Sequence, residues 1–156
     1  MKKFSILAML LFSFSACTPD GRVFSDNQVL SPEIEWHKAD VKTFQVPLVA
    51  DKKYNVAIAF RFANGFPFRS AMVNMEITSP SGETSSQICE LVVRQENGDY
   101  IGEAGFDIWD SEHQVLTNHS VTETGNYTFK LSHAMAQDPL NFAMEIGLLV
   151  DMVLTQ

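Results

Sequence analysis

Apolar and polar residues alternate along most of the chain with a period of two. Tyr54, Val56, Ile58, Phe60 and Phe62 alternate with Asn55, Ala57, Ala59 and Arg61. That spacing predicts a strand with one heavily buried face, because successive strand side chains point to opposite sides. Ala71, Val73, Met75 and Ile77 repeat the pattern against Met72, Asn74, Glu76 and Thr78. Further strands are predicted over 86–94, 113–121, 126–132 and 142–154. The segments between them hold turn formers: Asn64-Gly65-Phe66-Pro67, Pro80-Ser81-Gly82, Glu96-Asn97-Gly98-Asp99 and Glu123-Thr124-Gly125. Gly125 is expected to supply a left-handed turn position. Only 133–139 reads as a helix, with Pro139 as its stop. Many short strands with turns between them predict an all-β fold, an antiparallel β-sandwich of jelly-roll or immunoglobulin-like kind with one short helix.

The first 16 residues break this pattern. They read MKKFSILAMLLFSFSA, two lysines followed by an uncharged run from Phe4 to Phe14. That run has the length of a signal-peptide core and is too short to span a bilayer. Ala16 precedes Cys17, and a small residue before a lone Cys resembles the lipobox of bacterial lipoproteins. The domain reading is therefore a lipoprotein signal over 1–16, a lipidated tether over 17–21 and a β-sandwich over 22–156. In the alternative reading an ordinary signal is cut nearby and Cys17 stays an idle thiol. Acyl chains on Cys17 would hold the domain on a membrane at about 0.8 kcal/mol per buried methylene.

Charge narrows the partners. The chain has 19 acids and 11 bases. Loss of Lys2 and Lys3 with the signal leaves 9 bases against 19 acids, a charge of −10. Such a domain grips neither nucleic acid nor anionic lipid by charge. Cys17 and Cys89 are the only cysteines. With Cys17 acylated, Cys89 has no disulfide partner, and its apolar strand context predicts a small buried side chain.

Candidate chemistry is sparse. The chain contains no G-x-S-x-G, H-E-x-x-H, P-loop or G-x-G-x-x-G sequence, so no enzymatic role and no cofactor are expected. Gly102-Glu103-Ala104-Gly105 is read as a strand bend. His113 and His119 on one unbroken strand would stand about 20 Å apart at ~3.3 Å per residue, too far for one metal ion. The GFDIWDSEH segment is read as a solvated loop with an anchored Trp. In a second reading, Asp107, Asp110 and Glu112 form a ligand loop for calcium, or for a glycan stacked on Trp109. Arg61 lies mid-strand among alanines, where it either pairs with an acid or meets a partner. Trp36, before the first long strand, is read as a packed aromatic, and Trp36 and Trp109 are further candidate partner contacts.

Several landmarks form a series: Cys17 followed by Arg22-Val23-Phe24; Trp36-His37-Lys38; YNVAIAFRFANGFPF over 54–68; Pro80-x-Gly82; Asn97-Gly98-Asp99-Tyr100-Ile101-Gly102 with Gly105; Gly125-x-Tyr127; Ala134-Met135 with Leu140; and Ile146-Gly147-Leu148. Their order and spacing resemble the GldH family of gliding-motility lipoproteins from Bacteroidetes, over nearly the whole chain after Cys17. The family tends to have Tyr-Pro where Phe66-Pro67 stands and Met-Arg where Met135-Ala136 stands. The resemblance implies a lipid-anchored cell-envelope protein on the periplasmic side of the outer membrane. Its implied role is as an accessory of the gliding and adhesin-secretion machinery, acting by contact with other envelope proteins. It brings no catalytic residue. The competing functional reading is a surface lipoprotein that binds glycan or calcium through Asp107–Glu112.

Overall fold

The computed structural model describes residues 21–154. The strands are β1 (Arg22–Val29), β2 (Glu35–Trp36), β3 (Lys42–Leu48), β4 (Lys53–Ala63), β5 (Ser70–Thr78), β6 (Thr84–Val92), β7 (Glu103–Ala104), β8 (Ile108–Ser120), β9 (Gly125–His133), β10 (Leu140–Asn141) and β11 (Ala143–Met152). A five-stranded sheet runs β1-β11-β4-β8-β7, and a four-stranded sheet runs β3-β9-β5-β6. The short pair β10-β2 stands apart from both. All strand pairings are antiparallel. The two large sheets bury one face each, giving the expected sandwich.

The alternation predicted for β4 and β5 is what makes the core. Val56, Ile58, Phe60 and Phe62 of β4 join Ile146, Leu148 and Val150 of β11 on one inner face. Facing them are Phe44, Val46 and Leu48 of β3, Val73 and Met75 of β5, Leu91 of β6, and Phe129 and Leu131 of β9. Cys89 is a free thiol buried among them, and burial raises its pKa, while a hydrogen bond from Gln87 works the other way.

Three expectations are corrected. The segment after β9 is no helix. The Ala134 N–H donates to the Met72 carbonyl at 2.7 Å, and the Met72 N–H donates to Met135 Sδ at 3.2 Å. These bonds continue the β9–β5 contact, and seven residues are too few to offset helix nucleation. The GFDIWDSEH segment is mostly the first half of β8, not a loop. The strand was hidden because polar Ser111 and His113 take inward positions opposite Phe60 and Ile58. Ser111 is buried, and its hydroxyl donates to the Phe60 carbonyl at 3.1 Å.

β8 is also not regular. Its register slips between Tyr54 and Ala57, and Asn118 has a φ of 53°. His113 pairs with Ile58 and His119 with Tyr54, so six residues of β8 span only four of β4. Their separation is therefore about 13 Å along the strand rather than 20 Å.

Candidate functional site

Of the sequence-derived candidates, Arg61, Asp110 and Glu112 share the outer face of the five-stranded sheet, at the end where β4 finishes and β8 starts. Arg61 on β4 lies between Glu145 on β11 and Asp110 on β8, each its direct cross-strand partner. Its Nε donates to Asp110 Oδ1 at 2.7 Å and its Nη2 to Asp110 Oδ2 at 3.1 Å. Its Nη1 donates to Glu145 Oε1 at 2.9 Å. The fork is the bidentate geometry that guanidinium and carboxylate planes favour. The Asp110 hydrogen bonds raise the Arg61 pKa further, with the nearby charges of Asp110 and Glu145 adding to them against partial desolvation. Of the two readings of Arg61, the ion pair is what the structure shows.

The neighbouring positions are small. Ala59 pairs with Gly147, which pairs with Asn27. A Cβ on Gly147 would overlap Asn27 Oδ1, so the glycine lets the Asn27 side chain lie flat on the sheet. Glu103 of β7 pairs with Asp110, and Glu112 pairs with Ala59. Glu103, Asp110, Glu112 and Glu145 thus line a shallow depression with Arg61 and Asn27.

Asp107, Asp110 and Glu112 do not converge. Asp110 is committed to Arg61, Glu112 projects from the same strand one pleat on, and Asp107 belongs to the β7–β8 turn. Among the described residues, no three His, Cys, Asp or Glu side chains come together as a metal ion requires. Trp109 faces inward and packs on Tyr100, with ring centroids 5.2 Å apart. Trp36 is 0% exposed, and its indole N–H donates to the Asp40 carbonyl at 2.8 Å. It is therefore the packed aromatic of the first reading, and its candidacy as a partner contact is corrected by its burial. Cys17 lies outside the described residues.

Two groups at this end were not singled out from the sequence. Arg94 stacks on the Tyr100 ring, its guanidinium carbon 4.1 Å from the centroid. Its Nη2 donates to the Phe66 carbonyl at 2.6 Å and to the Tyr100 hydroxyl at 2.5 Å. The same hydroxyl accepts the Gly65 N–H at 2.8 Å. Together they clamp the turn between β4 and β5 onto the segment before β7. Phe106, at the tip of the β7–β8 turn, is 99% exposed. An aromatic between Gly105 and Asp107 was the available signal for it.

The chain resembles known proteins at the level of sequence. The family model described as "GldH lipoprotein" matches residues 22–150. The "Gliding motility lipoprotein GldH" of Flavobacterium johnsoniae is 29% identical over 133 residues, covering 85% of this chain and 79% of that one. The "Gliding motility lipoprotein GldH homolog" of Christiangramia forsetii is 25% identical over 134 residues, covering 85% and 80%. A chain from a structure of infectious bursal disease virus Gt strain aligns with 96% of this chain and 38% of its own, at 9% identity. Its TM-score is 0.38. The family match spans the whole described sandwich except its last strand residues, and on that match the chain belongs to the GldH lipoprotein family.

Proposed function

We propose that this chain is a non-enzymatic, lipid-anchored envelope protein that serves the machinery of gliding motility and adhesin secretion. It acts by contact with other proteins, and its lipid is carried on Cys17. The match to the family over residues 22–150 carries this reading. The relative in Flavobacterium johnsoniae supplies the link to gliding.

The geometry supports a scaffold that presents a surface. The Arg61 fork ties three strands together, and the carboxylates around it make a fixed negative face. The short tether puts the domain close to its membrane: five residues, 17–21, reach about 18 Å at most. A periplasm-facing position on the outer membrane fits that reach. The test is gene deletion with complementation. Surface movement, adhesin display or secretion should fail in the deletion strain and return with the intact gene. If all three stay normal in the deletion strain, the proposal is overturned.

A further inference from the structure

The β7–β8 turn exposes an aromatic side chain that packing does not explain. Phe106 is 99% exposed, although burying a Phe is among the larger gains open to a folding chain. The turn that presents it is anchored. The Gly105 N–H donates to the Ile108 carbonyl at 2.8 Å, and the Asn64 N–H to the Asp107 carbonyl at 2.8 Å. Glu103 and Ala104 pair with Asp110 and Trp109. A Cβ on Gly105 would come within 2.7 Å of Ile108 Cγ1, and one on Gly102 would overlap the Asp110 carbonyl. The glycine pair therefore lets β7 close tightly on β8. A turn anchored this way fixes the backbone that presents Phe106 before anything binds it, which lowers the entropic cost of association.

The surroundings fix the sign of the partner's charge. Glu103 and Asp110 pair across the base of the turn, Asp107 adjoins Phe106, and Glu112 and Glu145 line the depression beyond with Asp110. Arg61 already serves two carboxylates, and Arg94, stacked on Tyr100, leaves the acids at this end in excess. The complementary surface is basic.

Position on the sheet separates this turn from the N-terminal entry of the chain. The Met152 N–H donates to the Gly21 carbonyl, and Arg22 pairs with Asp151, itself opposite Asn55. Ile108 pairs with Ala63 at the other end of β4. Asn55 and Ala63 are about 26 Å apart at ~3.3 Å per residue, so Phe106 sits at the end of the sheet away from the tether. The carboxylates around it also oppose anionic lipid.

We propose that Phe106, with Glu103, Asp107 and Asp110 about its turn, is the docking point for another envelope protein, entering an apolar pocket rimmed by Lys and Arg. This rests on the reading of the chain as a protein that works by contact. A photoreactive phenylalanine analogue at position 106 of the full chain, in its native cells, tests it. Position 88 on β6, where Ile88 is 54% exposed, is the control. Position 106 should give one discrete protein adduct that position 88 does not, mapped to a partner segment with basic residues beside apolar ones. Glu103→Lys with Asp107→Lys should lower its yield about tenfold or more, and Phe106→Ala should leave the melting temperature unchanged. A lipid adduct at 106, equal adducts at both positions, or a yield indifferent to charge reversal overturns the proposal. An adduct at 106 beside a deletion strain without phenotype keeps the docking point and removes the gliding role. A deletion phenotype without an adduct at 106 does the reverse.

Discussion

Pro80 lies directly against Gly125. A Cβ placed on residue 125 would stand 2.7 Å from the proline Cγ and 3.0 Å from its Cβ. Gly125 opens β9 opposite Leu48 with a φ of +154°. The φ is positive, as the turn reading called for, though wider than the left-handed helical value, and both that backbone and the ring of Pro80 favour a glycine there. Gly125→Ala is expected to cost about 1–3 kcal/mol, lowering the melting temperature by roughly 2–4 °C per kcal/mol. Adding Pro80→Ala removes the 2.7 Å contact and should restore part of that loss. Thermal melts of the four chains give the coupling. A coupling near zero would show that Pro80 is not the obstacle.

The Arg61 fork makes a separate prediction. Its side chain is about one-third exposed, and Asp110 more so, so solvent screens the pair and its direct worth is modest. The larger effect of Arg61→Met is to leave Asp110 and Glu145 unneutralised across β4, beside Glu103 and Glu112. Repulsion of that kind, with the lost hydrogen bonds, is expected to cost about 1–2 kcal/mol. Added salt should narrow the gap to the parent chain, because screening weakens repulsion between exposed charges. Denaturant midpoints at low and high salt measure it. A gap that does not change with salt would mean that packing of the Arg61 stem, not charge, is what was lost.

What could be read from the sequence followed the hydrophobic alternation. β4, β5 and β9 were legible because each keeps apolar residues on every second position, and β11 because it is one long apolar run. The first half of β8 was not, since Ser111 and His113 stand where apolar residues would announce a strand, and their partners lie on β4 or on β8 itself. β1 is an edge strand with few buried positions, and its partner β11 is at the other end of the chain. Periodicity carries no record of such a pairing. The same limit applies to the site. Arg61 could be recognised as an unusual strand cation, but Asp110 and Glu145 lie 49 and 84 positions away. Trp36 sits among polar neighbours in sequence and is covered by residues distant in the chain, among them the β10 partner Leu140 and the His133 ring, 5.5 Å away.

Tyr100 joins three backbone and side-chain groups through one oxygen. Tyr100→Phe leaves the Gly65 N–H without its acceptor and removes one partner of Arg94 Nη2. Arg94 Nε is already buried without a partner, so the clamp has little in reserve. The expected cost is about 1–3 kcal/mol. Amide exchange should quicken over the 63–68 turn more than over β5. Exchange that quickens evenly through the sandwich would contradict a local clamp.

Cys17→Ala tests the anchor. A chain held by acyl groups on Cys17 should move from the membrane fraction to the soluble periplasmic fraction, because a domain of charge −10 has no electrostatic hold on anionic lipid. Metabolic labelling with a fatty acid should disappear in the same variant. Retention in the membrane with loss of the label would point to a protein contact as the second anchor.

Stability should fall on mild acidification, and two histidines set the sign. Burial lowers the pKa of His113 on the inner face of β8. Burial also lowers that of His133, beside Trp36, outweighing the opposing pull of Asp138, whose Oδ1 is 3.4 Å from Nε2. An unfolded histidine takes up its proton near pH 6.5. Between that value and the lower folded pKa, the unfolded chain holds more protons. Stability is therefore flat with respect to these groups above about pH 6.5 and drops as the pH falls below it, by at most about 1.4 kcal/mol per pH unit for each histidine. Glu33, Glu123 and Asp138 have lowered pKa values, from their hydrogen bonds to Ser31, Ser81 and the Lys38 N–H respectively. Stability tied to these carboxylates is lost only in the carboxylate range, below about pH 4.5. Urea midpoints at pH 7.5, 6.5 and 5.5 isolate the histidine window. The His113→Leu, His133→Leu double variant should be nearly flat across it. A double variant that keeps the parent's slope would assign the acid sensitivity to other groups.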